Sequence, residues 1–168
     1  MLDFNIITFH RSINFGAVLQ AYALLEFIKK QNYSAGIYDY KLRTIAPNTN
    51  LKSKIQRVLA IFFSDKEAES RQAQKFAEFR KKNLNLNLQT DSKVFITGSD
   101  QVWYLNNNMD SMFFLQFLDD SVYKISYAAS MPKTDVPNEK KDIVEEYLKT
   151  FDEISVREEG IKENLEPL

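Results

Sequence analysis

The sequence predicts an α/β fold, an open and mostly parallel sheet with helices on both faces. Three observations carry that prediction: five short β-rich runs, helical apolar spacing between them, and a strand–helix–strand order in the opening stretch of roughly forty residues.

The first run is Phe4 to Phe9 (FNIITF). Asn14 and Gly16 then precede a helical pattern that sets Val18, Ala21, Tyr22, Leu25 and Ile28 on one face. After the polar break at Gln31 to Ser34, Ala35 to Tyr40 (AGIYDY) supplies a second run, and a right-handed parallel crossover is the expected link. Leu51, Ile55, Val58, Leu59 and Phe62 keep helical spacing. Ser64 with Glu67 makes a capping box that opens a charged helix carrying Phe76 and Phe79 on one side. The β pattern returns at Lys93 to Thr97 (KVFIT) and stops at Gly98, ahead of Ser99 and Asp100, two good N-cap types. Lys124 to Ser130 (KISYAAS) is the next strand and MPKTDVPN a turn-rich connection; a helix over Glu139 to Lys149 and a strand over Phe151 to Val156 (FDEISV) follow. Glu158 to Leu168 reads as the start of a further helix. One domain over residues 1–168 is expected, with ligands gathering at the carboxyl ends of the strands.

Composition narrows the function. With 168 residues, 44% apolar and 27% charged, the chain is long enough for one sizeable core and too apolar for disorder. Lys plus Arg is 22 against 23 for Asp plus Glu, a net charge of −1 that argues against nucleic acid and against a polybasic membrane anchor. There is no cysteine and one histidine, His10, which excludes thiolate chemistry and His-rich metal sites, so no metal is expected. Neither a secretory signal nor an apolar run of ~20 residues occurs, which predicts a cytoplasmic protein with no membrane span. No GxGxxG and no GxxxxGK[ST] motif is present, so nucleotide chemistry is disfavoured.

Two turns stand out. In Thr8 to Leu24 (TFHRSINFGAVLQAYAL), His10, Arg11, Ser12 and Asn14 fall between a strand end and a helix N-terminus, where free backbone N–H groups favour an anion or a sugar hydroxyl. Asn14 serves equally as a plain helix cap and Gly16 as a close-packing residue. In Val94 to Trp103 (VFITGSDQVW), a hydrophobic strand runs into Gly98, Ser99, Asp100, Gln101 and the single tryptophan. Asp100 and Gln101 suit paired hydrogen bonds to vicinal hydroxyls and Trp103 suits the C–H side of a pyranose; the alternative makes Asp100 a cap and Trp103 a core anchor. Asp110, in NNNMDS, suits a base or a turn, Tyr127 and Ser130 lie on the ISYAAS strand, and Arg157 suits a carboxylate or an ion pair.

Taken together, TFHRSINFGAVLQAYAL, IYDY, the Phe76/Phe79 pair, FITGSDQVW, FFLQF and KISYAAS resemble the polysaccharide pyruvyl transferase family, from about Asn5 to Glu159. Two positions depart from it: Tyr104 stands where the family commonly has Asn, and Met131-Pro132 where it commonly has Phe-Gly. The resemblance implies a Rossmann-like three-layer lobe, the N-terminal half of a two-lobed, GT-B-like glycosyltransferase architecture, with a second lobe expected to be absent here. It implies transfer of the enolpyruvyl carbon of phosphoenolpyruvate, a donor substrate and not a cofactor, to two sugar hydroxyls as a cyclic ketal with release of phosphate. It also implies that the donor-clamping arginines and a histidine come mainly from the second half, which predicts that this chain alone is inactive. The site carried over onto this chain is Asp100 as the catalytic residue. His10, Asn14, Gly16, Gln20, Gly98, Ser99, Gln101, Trp103 and Ser130 are expected to bind a saccharide acceptor used in exopolysaccharide synthesis. Self-association or a separate C-terminal lobe is the expected protein partner. The competing readings are a non-catalytic carbohydrate-binding or assembly module and an unrelated flavodoxin-like ligand binder.

Overall fold

The computed structural model describes residues 1–41, 66–99, 101–105, 109–132 and 135–166. The helical pattern Leu51 to Phe62, Ser64 of the capping box, and Asp100 lie outside the described residues.

Six strands form one sheet: β1 (Phe4–Ile7), β2 (Ala35–Tyr38), β3 (Leu86–Asn87), β4 (Val94–Ser99), β5 (Tyr123–Ala129) and β6 (Glu153–Val156), in the order β3-β2-β1-β4-β5-β6. Every pairing among them is parallel. The helices are α1 (Phe15–Lys30), α2 (Lys66–Asn83), α3 (Lys141–Leu148) and α4 (Glu159–Leu165), with short 3-10 turns at Ser111–Phe114 and Asn138–Lys140. This is the expected Rossmann-like, three-layer α/β fold, with the sheet fully parallel among the described strands.

Sequence alternation decides which layer each side chain joins. On one face Ile6, Ile37 and Ile96 meet Ala21, Leu25 and Ile28 of α1. On the other, Ile7 and Phe95 join Trp103, Phe113, Phe114, Val144 and Leu148 of α3, and Ile161 of α4. The central strands are apolar on both faces because both are covered, as parallel sheets require. Helix α2 packs on α1 through Phe76 against Phe15 (ring centroids 4.8 Å) and Phe79 against Tyr22 (5.5 Å).

Helix α1 begins where Asn14, in extended conformation, accepts the amide of Ala17 at 3.2 Å, and it stops where Asn32 turns left-handed at φ 66°. Gly98 does not end β4, which continues through Ser99. Its register with β5 slips there: Gly98 pairs with Tyr127 and Ser99 with Ala129, leaving Ala128 as the extra residue at φ 50°. A Cβ at Gly98 would sit 2.1 Å from the carbonyl oxygen of Tyr127, so glycine lets the two backbones close up.

Candidate functional site

From β1 the chain goes to β2 on one side, and β4 then pairs with β1 on the other. This reversal of strand order opens a crevice at the carboxyl ends of β1 and β4, where ligands bind in open α/β sheets. A cavity of ≈ 650 Å³ lies there. The turn after β1 contributes Arg11, Ser12 and Asn14 to its wall; the segment after β4 contributes Gln101 and Tyr104. Tyr40 and Asp110 line it as well, and Phe9 with Phe113, whose rings are 4.6 Å apart, give it an apolar part.

Two polar networks hold this wall. Tyr40 donates its hydroxyl proton to Asp110 Oδ2 at 2.5 Å, while Asp110 Oδ1 accepts the amide of Met112 at 3.0 Å and so caps the 3-10 turn. The aspartate is thereby fixed at both oxygens, with lone pairs left over. In the second network, Arg11 grips Asp39 bidentately, Nε to Oδ1 at 2.9 Å and Nη2 to Oδ2. Behind it His10 is fully buried, Nε2 lying 3.0 Å from Asp39 Oδ1 and Nδ1 3.0 Å from the carbonyl of Thr8. Burial pushes the Asp39 carboxyl up, but the hydrogen bonds from His10 and Arg11 outweigh it and hold the group below the ordinary carboxylate value. Burial, reinforced by the charge of Arg11, pushes the Arg80 guanidinium down, with Asp39 opposing.

A family model described as polysaccharide pyruvyl transferase matches residues 14–166. The chain belongs to the polysaccharide pyruvyl transferase family. No curated protein and no solved structure matches it. The flavodoxin-like reading is set aside by this membership.

The chain distributes the expected site residues unevenly. Asn14 and Gln101 share the cavity, Asn14 being helix cap and wall at once. Gln101 holds left-handed backbone at φ 55°, a conformation that costs a residue with a Cβ about 1 kcal/mol or more. Gln20 and Gly98 face a separate void of only ≈ 20 Å³ on the α1 side. Gly16 is exposed and does not line the cavity; a Cβ there would lie 3.1 Å from Asn14 Oδ1, so glycine leaves room for the cap. Ser99 is in β4, and Asp100 follows it outside the described residues.

Three residues expected at the sugar are not available to one. Trp103 is 1% exposed, its ring stacked on Phe114 at 5.4 Å and its indole N–H donating to the Phe113 carbonyl at 3.2 Å, so it is a core anchor and not a platform. His10 is walled in by its bonds to Asp39 and Thr8. Ser130 is equally buried; its hydroxyl donates to Glu158 at 3.0 Å and accepts from Arg157 at 2.9 Å, joining β5 to the end of β6. Arg157 meets the ion-pair alternative, with Nε 2.7 Å from Glu158 Oε1.

Tyr40 and Tyr104 lie outside the site the sequence predicts, while Arg11, a candidate in the first turn, and Asp110, a base or a turn by sequence, both line the cavity. The sequence signal for Tyr40 is its place at the end of the Ala35 to Tyr40 run, at the sheet edge where ligands collect; the strand itself stops at Tyr38. Tyr104 is the exposed member of a segment whose other residues, Val102, Trp103 and Leu105, are buried at 2%, 1% and 8%.

Proposed function

We propose that this chain is the acceptor-side lobe of a pyruvyl transferase and that its cavity holds the saccharide receiving the pyruvyl group. The observation that carries the reading is the meeting of Asn14 and Gln101 in one cavity, in a chain of this family. In the reaction, two sugar hydroxyl oxygens bond to C2 of phosphoenolpyruvate and the bond from C2 to the phosphate oxygen breaks. The enol methylene takes one proton to become a methyl group, and phosphate leaves carrying the other. The lobe's part is to fix two neighbouring hydroxyls and accept their protons. Amide groups of Asn14 and Gln101 suit the first task. Asp100, next in sequence to Gln101, is the proposed proton acceptor. Donor-clamping groups are assigned to a second, GT-B-like lobe that closes over the cavity. Exposed Ile13 (57%) in the turn before Asn14 and Phe15 (66%) at the start of α1 support a protein surface meeting this edge, whether that lobe or a second copy. Among the described residues no helix is long and apolar enough to cross a membrane, in keeping with the proposed cytoplasmic setting.

The test is a pair of assays on the chain: saccharide binding by calorimetry, and phosphoenolpyruvate-dependent phosphate release with the same saccharides. Binding without release is the expected result. Release would contradict the assignment of the donor site to a second lobe, and absence of saccharide binding would contradict the acceptor reading.

A further inference from the structure

We infer that Tyr104 is the stacking platform of the cavity, and that the acceptor is a pyranose ring presented with its C–H face to it. This rests on the acceptor reading above and deepens it. Sugar recognition needs a flat apolar surface for the ring and directional polar groups at the ring's edge. Trp103 cannot supply the surface, since its ring is spent on Phe114 and Phe151 in the core. Tyr104 can: it lines the cavity and is 43% exposed.

The backbone beneath the platform is anchored. Val102, Trp103 and Leu105 are buried on either side of it, and the amide of Trp103 donates to the Ser130 carbonyl at 3.2 Å, tying the segment to the end of β5. A tyrosine held at its backbone has only two side-chain torsions to lose on binding, so little ordering cost offsets the contact. The polar edge is set as well. Asp110, fixed by Tyr40 and Met112, lines the same cavity with Asn14 and Gln101. These are oxygen acceptors and amide donors of the kind that read hydroxyls in the plane of a ring.

The experiment titrates methyl β-galactopyranoside and galactitol, which has the hydroxyls without the ring, into the wild-type chain and into Tyr104→Phe and Tyr104→Ala. Aromatic contacts of this kind are worth up to about tenfold in affinity. Expected are binding of the galactoside, about tenfold weaker binding of galactitol, about twofold change or less in Tyr104→Phe, and about tenfold loss in Tyr104→Ala. Thermal unfolding of both variants near the wild-type midpoint would show that the loss is local. Galactoside binding unchanged in Tyr104→Ala, or galactitol bound as well as the ring, would overturn the platform and leave the acceptor reading standing. Absence of binding to the wild type would overturn both.

Discussion

The indole N–H of Trp103 donates to the carbonyl oxygen of Phe113 at 3.2 Å, and this bond sorts two adjacent aromatic residues into opposite roles. With its polar atom satisfied inside the core, Trp103 is free to stack on Phe114, and the backbone it anchors turns Tyr104 outward. Truncating Trp103 therefore removes a filled core position and leaves a buried carbonyl without its donor. Trp103→Ala is expected to cost about 3–5 kcal/mol in urea unfolding, and Tyr104→Ala less than about 1 kcal/mol. Equal losses would contradict this division of labour.

Gly98 sits where β4 and β5 slip register, and any Cβ there meets main chain, which has no rotamer to change. Gly98→Ala must push the strands apart at Tyr127 and Ala128. The expected result is destabilisation of about 1–3 kcal/mol, with amide shifts concentrated at Gln101 and Tyr127 in a heteronuclear spectrum. A neutral substitution would show that the bulge adjusts freely.

His10 and Arg11 both bond to Asp39, but one is buried and the other is exposed enough to be screened by water. Deleting the buried ring removes its contacts to the Thr8 carbonyl and Asp39 Oδ1 and opens a cavity, while the amide of residue 10 and Arg11 still serve those acceptors. His10→Ala is expected to cost about 2–4 kcal/mol and Arg11→Gln less than about 1 kcal/mol, measured by the same unfolding. The reverse order would contradict the placement of His10 in the core.

Asp39 gives the fold an acid limb. Its carboxyl is held below the ordinary value, so the folded chain binds that proton less readily than the unfolded one. The stabilisation is fully present above the unfolded value of about 4 and is lost as pH falls through the folded value. Asp3 acts in the same sense at the other end of the sheet, where hydrogen bonds from Lys93 and Ser34 push its carboxyl far down. Asp39→Asn is expected to be less stable than wild type at pH 7, with the gap narrowing at about pH 3. A gap that holds or widens in acid would contradict the sign.

Much of this architecture was legible in the residues. Strands such as Lys93 to Thr97 announce themselves because both faces are apolar, and the α1 face at Val18, Ala21, Leu25 and Ile28 is buried as its spacing requires. Strand β3 was not legible: Leu86–Asn87 is two residues long, too short for any alternation, and exists because it pairs with β2 at Ile37 and Tyr38. The end of β4 is not legible because glycine reads as a stop, whereas here it admits the neighbouring strand. The site was legible at the level of turns, since parallel neighbours bring the ends of β1 and β4 together. Which side chains face the cavity was not, because a tryptophan, a histidine and a serine that suit a sugar suit a core equally once each finds an internal hydrogen-bond partner. Only the fold decides between Trp103 and Tyr104.

The central claim is that the turn after β1 and the segment after β4 form one saccharide site, and residue-resolved NMR tests it most directly. Titrating methyl β-galactopyranoside into the isotope-labelled chain should shift the amides of Asn14 and Gln101 with one common binding constant, while those of Lys162 on α4 and Glu166 just past it stay fixed. Shifts at only one of the two turns, or two unequal constants, would contradict it.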